Sequence, residues 1–149
     1  MVAPSSVITS ARKLIGTPYL HQGRLPQIGC DCLGVPILVG FDLDLFVGLP
    51  FEQKAIIVEA NYPRIPDGRM RTQVEAICQP IVIAPGALLL FQMSATEQHC
   101  GIVSEYMGEL GLIHAWDLSG VNAVVEHRLT QDWLAKITGC YALPGVDYE

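Results

Sequence analysis

The sequence predicts an α+β domain in which N-terminal helices pack on a C-terminal antiparallel sheet. Three observations predict it. Apolar residues recur at helical spacing near the N-terminus, and from residue 32 they fill a second segment almost all round. From residue 88 onward the pattern changes to short apolar or alternating runs cut by glycine turns. The chain has 149 residues, half of them hydrophobic and only 16% charged. That is enough for one core and not comfortably for two, so residues 1–149 read as a single domain.

The elements follow in order. Ser5 and Ser6 can cap a first helix carrying Val7, Ile8, Ala11, Leu14 and Ile15, stopped by Gly16-Thr17-Pro18. Residues 16 to 31, with Gly16, Pro18, Gly23, Pro26 and Gly29, read as an ordered loop. A second helix starts at Asp31 or Cys32. Leu33, Val35, Ile37, Leu38, Val39 and Phe41 make it a buried one, and Pro36 fits only its first turn. In the less distinct segment 46 to 82, Phe51 to Asn61 and Arg69 to Gln79 can each be helical. Leu88 to Phe91 is a continuous apolar run, as a central strand requires. Gly101 to Ser104, Leu112 to Trp116 and Val121 to Glu126 are further strands. Asp132 to Leu134 gives a turn of helix, and Lys136 to Leu143 closes the sheet. Helices first and strands second make the α+β plan.

Composition excludes several functions. The formal charge is -6, with basic residues scattered apart from Arg69 and Arg71. Duplex nucleic acid demands a basic face, so no nucleic-acid partner is expected. No apolar run approaches the roughly 18 residues of a membrane span, so no membrane insertion is expected. A basic leader with an apolar signal core is also missing, which predicts synthesis in the cytoplasm without a secretion signal. Five cysteines, Cys30, Cys32, Cys78, Cys100 and Cys140, cannot all pair, and their spacing fits neither a disulfide framework nor a zinc knuckle. Reduced thiols are expected, mostly as small core residues.

Gly29-Cys30-Asp31-Cys32-Leu33-Gly34 is the most informative segment. It sets Cys32 after a turn and at the mouth of an apolar helix, with Asp31 as a good N-cap. Backbone N–H groups and the positive end of the helix dipole favour a thiolate there and can later hold an oxyanion. Cys30 lies outside that field. A thiolate nucleophile needs a base within hydrogen-bond reach. If residues 100–105 and 111–116 form a hairpin turning at Met107-Gly108, paired positions sum to 215. His99 and His114 then become diagonal neighbours on one face, with small Gly101 between them. A sum of 214 puts them on opposite faces. In the first register a helix bearing Cys32 can pack on that face, His99 can take the thiol proton and His114 can orient the His99 ring. The competing reading is a buried inert thiol and two hydrogen-bonded structural imidazoles. His127, between Glu126 and Arg128, reads as solvated. His21 can line the cleft or anchor its loop, and the Tyr19 hydroxyl can support the oxyanion or merely pack.

Ile15-Gly16-Thr17-Pro18-Tyr19-Leu20-His21-Gln22-Gly23 followed by the Cys32 segment resembles the NlpC family of cell-wall cysteine peptidases, the NlpC/P-sixty superfamily. Pro85-Gly86 before Leu88-Leu89-Leu90-Phe91, His99-Cys100-Gly101-Ile102-Val103 and Ile113-His114-Ala115 continue the match in the family's order, over roughly residues 7 to 143. The nearest likeness is to the short phage-type branch found among tail proteins of phages and phage-like gene-transfer particles. The resemblance implies a papain-like fold, Cys32 as nucleophile, His99 as base, His114 as the third polar residue and Tyr19 beside the thiol. Asp31 and His21 fall with Tyr19 on the oxyanion and substrate side. It further implies peptidoglycan stem peptides as substrate, commonly cut between D-glutamate and a diamino acid, with no metal or other cofactor. Tail hub or tip proteins are the implied partners and a particle tail at the cell envelope the implied location. The sequence departs from the family at Ala87, where Asp is frequent, and at Pro36. Three alternatives remain: an amidase or acyltransferase with a non-wall substrate, a structural tail-tip protein that keeps the fold, and, weakest of the three, a metal site built from Cys32, His99 and His114.

Overall fold

A computed structural model describes residues 1–59 and 62–149. Helix α1 (Pro4–Arg12) opens on a proline, whose missing N–H costs nothing at the first helical position. Ala3 is its N-cap and no side chain caps it, so Ser5 and Ser6 lie inside the helix and not at its cap. The backbone tightens after Arg12, with Lys13 and Leu14 donating to the carbonyls three residues back, and Gly16 turns away at φ 89°. The expected loop 16–31 contains a small hairpin of β1 (Arg24–Leu25) and β2 (Gly29–Cys30). Helix α2 runs over Gly34–Asp42, two or three residues later than expected, because Cys32 and Leu33 form a preceding turn. Pro36 stands in its first turn, as predicted.

Helices α3 (Phe51–Val58) and α4 (Arg69–Ile77) are both shorter than expected. Glu59 turns extended at ψ 122°, and positions 60 and 61, to which the first of these was expected to reach, lie outside the described residues. Cys78 likewise turns extended, and the chain enters the sheet as β3 (Gln79–Pro80). The other strands are β4 (Leu88–Gln92), β5 (Gln98–Tyr106), β6 (Glu109–Trp116), β7 (Ala123–Arg128) and β8 (Ile137–Ala142). The short helix α5 (Gln131–Leu134) precedes β8. The sheet order is β3-β8-β4-β5-β6-β7, with every neighbour antiparallel.

Strands β5 and β6 pair with the predicted sum of 215, as in Ile102 opposite Ile113. Their turn places Met107 and Gly108 both at positive φ, 51° and 80°, the twist that a two-residue hairpin favours. Apolar side chains cover both sheet faces, which explains the unbroken run at β4. On one face Leu88, Leu90, Cys100, Ile102, Ile113 and Ala115 pack under α1 and α2, against Val7, Ile8, Val35 and Val39. On the other, Leu89, Phe91, Val103 and Leu112 pack with Leu129, Trp133 and Ile137.

That alternation corrects one expectation. Phe91 pairs directly with His99, and antiparallel partners share a face. His99 and His114 therefore lie on the α5 side, whereas α2 packs on the opposite face. The thiol and the imidazoles meet at the start of β5, not across one face. Among the described residues no helix is long and apolar enough to cross a membrane.

Candidate active site

The residues before α2 are stitched into place before any chemistry is considered. Tyr19 bridges Cys30 in parallel, and Pro18 bridges Ala123 at the start of β7. The Cys30 N–H donates to the Pro18 carbonyl at 3.0 Å, and the Tyr19 N–H to the Asn122 carbonyl at 2.8 Å. Asp31 is the knot. Its carboxylate, 2% exposed, accepts from the Gly34 N–H at 2.9 Å, the Gln22 N–H at 2.8 Å, the Arg24 guanidinium at 2.8 Å and the Tyr62 hydroxyl at 2.5 Å. Asp31 is not the N-cap expected of it: α2 starts at Gly34 with Leu33 at the cap, because Cys32 and Leu33 form a preceding turn, and Asp31 instead accepts from the Gly34 N–H across that turn. Asp31 thus anchors the loop to the helix mouth, and its oxygens are occupied by the protein itself.

Cys32 sits immediately beyond this knot. Hydrogen bonds from the Cys100 thiol and the His99 imidazole, with the charge on His99, hold the Cys32 thiol below the ordinary cysteine range. Burial and the Asp31 charge oppose the shift. Cys100 moves the other way, well up, because of its bond to Cys32 and its burial. Within this pair Cys32 therefore ionises and Cys100 keeps its proton. The Cys100 thiol also lies 3.2 Å from the Cys32 carbonyl. Cys30 is pushed up to about 12, chiefly by burial, and stays a thiol as its position outside the helix field predicts.

His99 and His114 meet as the 215 register requires. His99 Nε2 and His114 Nδ1 are 2.7 Å apart. His114 is fully buried, and that burial together with the neighbouring His99 and His127 drives its pKa far down, so the ring is neutral. His127 is not the solvated residue the sequence suggested. Its Nε2 lies 2.8 Å from His114 Nε2, and its Nδ1 lies 2.9 Å from the Arg128 carbonyl. Three imidazoles thus run in line from the thiol to a backbone carbonyl.

Cys32, His99 and Tyr19 line one cleft with Arg64, Pro66, Trp116 and Asp117. Its volume is about 460 Å³, open solvent included, inside the roughly 300–1,000 Å³ range of small-ligand sites. The Tyr19 hydroxyl has its pKa raised by burial and then by Cys32, so it remains a neutral donor in the cleft. The Arg64 guanidinium lies 5.7 Å from the Tyr19 ring centre and pairs with Asp117 at 2.9 Å. His21 packs edge-on against Tyr62 with ring centres 5.3 Å apart, outside the set that lines this cleft. A second cavity of about 530 Å³ lies among α2, α3 and α4, and none of Cys32, His99 and His114 lines it. Among the described residues no group of three His, Cys, Asp or Glu side chains is arranged to hold a metal ion.

No protein-family model matches the sequence, and no curated protein matches it either. Solved structures do match. The NlpC/p60 domain of the peptidoglycan hydrolase SagA is 20% identical, with a TM-score of 0.58 over 93% of this chain and 97% of that one. This chain has the NlpC/P60 fold. An NLP/P60-family protein of Staphylococcus aureus, described as similar to lipoprotein, is 20% identical with a TM-score of 0.57. An NlpC/P60 family protein of Bacillus cereus is 16% identical with a TM-score of 0.59. The match to each covers 95% of this chain but only about two fifths of theirs, 41% and 40%.

On this NlpC/P60 fold, sequence reasoning missed His127, Cys100, Arg24 and Tyr62 around the site. For His127 a signal existed. A turn centred on Ser119-Gly120 pairs His114 with Val125 and Leu112 with His127, which makes His127 diagonal to His114. Nothing local marks Tyr62 or Arg24, since their link to Asp31 is made only by the folded loop.

Proposed function

We propose that the protein, acting as one domain over residues 1–149, is a cysteine peptidase that hydrolyses peptide bonds in the stem peptides of bacterial peptidoglycan. The observation that carries the reading is the Cys32 thiol, held below its ordinary pKa by Cys100 and His99, in a cleft that His99 also lines, with His99 Nε2 2.7 Å from His114 Nδ1. A thiol, a base and an orienting group in series are what acyl transfer requires. Support for the substrate comes from the fold shared with a peptidoglycan hydrolase domain and from the sequence motifs around Cys32 and His99.

In the proposed reaction the Cys32 thiolate attacks the scissile carbonyl carbon, and the carbonyl oxygen takes the displaced electron pair. Backbone N–H groups at the Cys32 turn and the Tyr19 hydroxyl stabilise that oxyanion. The tetrahedral intermediate collapses, the C–N bond breaks, and imidazolium His99 gives its proton to the leaving amine. A thioester remains on Cys32. His99 then takes a proton from water, hydroxide attacks the thioester, and the thiolate leaves. We further infer that the setting is a phage or phage-like particle tail, where cleavage would open the wall locally during delivery. This inference rests on the likeness of the motifs to the short phage-type branch.

Cys32→Ala is expected to abolish release of new amino termini from purified peptidoglycan while leaving the fold intact by circular dichroism. Release at the wild-type rate by that variant rules the mechanism out. Mass spectrometry of products from defined muropeptides identifies the bond cut, and an intact stem peptide beside a cleaved non-wall amide would favour the amidase alternative.

A further inference from the structure

We propose that His127 is a positioning residue: acting through His114, it fixes the His99 tautomer so that His99 Nδ1 is the nitrogen left free to take the Cys32 proton. The inference rests on the reading of Cys32 and His99 as the reacting pair, and it adds a fourth member behind the third.

The hydrogens on the three rings can be counted along one line. A carbonyl oxygen can only accept, so His127 Nδ1, 2.9 Å from the Arg128 carbonyl, must carry its hydrogen. With His127 neutral, its Nε2 is then a lone pair. His114 Nε2, 2.8 Å away, must donate to it. His114 is neutral and holds only one ring proton, because burial and its two imidazole neighbours disfavour its charge. Its Nδ1 is therefore a lone pair. His99 Nε2, 2.7 Å from that lone pair, must donate in turn. Neutral His99 then has its lone pair on Nδ1, the one nitrogen left to face the thiol. A single backbone carbonyl thus sets the polarity of three rings.

The polarity also survives the chemistry. When His99 takes the Cys32 proton, its Nδ1–H bonds the thiolate and its Nε2–H keeps its bond to His114, so no ring has to turn. Without an acceptor at position 127, His114 is free to place its hydrogen on Nδ1. His99 would then hold its hydrogen on Nδ1, facing the sulfur, and the base would be blocked. Trp133 packs against all three rings, with centroids 6.0, 5.0 and 5.5 Å from His99, His114 and His127. Trp116 adds a second wall, 5.3 Å from His114 and 5.5 Å from His127. The His99–His114 contact is buried, and a buried polar network is costly to leave half satisfied.

The test uses the full chain and two variants. His127→Phe keeps an aromatic ring without an acceptor, whereas His127→Gln offers its amide oxygen close to where Nε2 lies. In the wild type at pH 8, long-range ¹H–¹⁵N spectra are expected to show hydrogen on His127 Nδ1, His114 Nε2 and His99 Nε2. For His127→Phe, alkylation of Cys32 by iodoacetamide at pH 7 and kcat on muropeptides are expected to fall about ten- to a hundredfold, as for one lost bond in a buried network. KM should change much less, and His127→Gln should recover most of the loss. A wild-type His99 with its hydrogen on Nδ1, wild-type rates in His127→Phe, or equal losses in both variants would overturn the proposal. If His127→Phe does not fold, the wild-type spectra still decide. Spectra and alkylation need no peptidoglycan, so a wild-type protein that cuts no wall would sink the functional reading without touching this result.

Discussion

Asp31 shows how much a single side chain can organise. It receives two backbone N–H groups, a guanidinium and a phenol, and so holds the Cys32 turn to the rest of the loop. Asp31→Ala would leave Arg24 without its partner and the Gly34 N–H without its acceptor. Loss of a partner from a buried pair costs about 3–5 kcal/mol, and with the Arg24 side chain 24% exposed the low end, about 3 kcal/mol, is expected. Urea unfolding at pH 7 measures it; a loss under 1 kcal/mol would mean that the knot is not what secures the turn. At this scale the sequence was only partly legible. That Asp31 serves the helix mouth was readable, because a carboxylate just before an apolar helix can accept from its first N–H groups, but the turn at Cys32 and Leu33 that moves the cap to Leu33 was not. Its other partners, Arg24 and Tyr62, stand 7 and 31 positions away and meet it only through the hairpin and the segment after α3.

At the scale of elements, the hairpin of β5 and β6 decides whether two histidines meet. Met107-Gly108 supplies the turn, pairing follows, and Gly101 lets the strands approach. A Cβ at Gly101 would stand 2.6 Å from Leu112 Cδ1 and 3.0 Å from both His114 Cβ and the Ile113 carbonyl oxygen. Gly101→Ala is therefore expected to destabilise the fold by about 1–3 kcal/mol, the usual cost of overpacking, and to weaken the His99–His114 contact. Denaturation together with the His114 ring signals would check both; an unaltered stability and spectrum would remove Gly101 from the account. The register was readable because one turn dipeptide fixes every pair beyond it. The face on which α2 packs was not, because Cys100 and His99 are consecutive and point oppositely, and both bear on the same sulfur. The termini of α3 and α4 were also beyond the pattern, since their chain turns extended at Glu59 and Cys78 without a glycine to mark the stop.

Across the whole molecule, buried thiols tie stability to pH. Cys78 is pushed up to about 12 by burial and Cys30 to about 12 chiefly by burial, from an ordinary value of 9.0. A raised folded pKa means that the unfolded chain releases the proton first. Their contribution is complete below pH 9 and is lost as pH rises toward 12, at up to about 1.4 kcal/mol per pH unit for each thiol. Cys32, shifted down, acts with the opposite sign: its contribution is present above 9 and is lost as pH falls through its folded pKa. Urea midpoints between pH 8 and 11 should fall steeply, and Cys78→Ala should flatten the slope. An identical slope in that variant would show that Cys78 does not titrate with unfolding. The overall plan was the most legible level, because a change from helical to strand periodicity near residue 88 survives any error at element ends. A covalent intermediate between Cys32 and a stem peptide can be trapped. Peptide mapping by mass spectrometry after acid quench of a muropeptide digest is expected to find an acyl mass on the peptide that contains Cys32, absent when His99 is replaced by Ala. Cleavage that proceeds with no adduct on Cys32, or with one on another residue, would contradict the account.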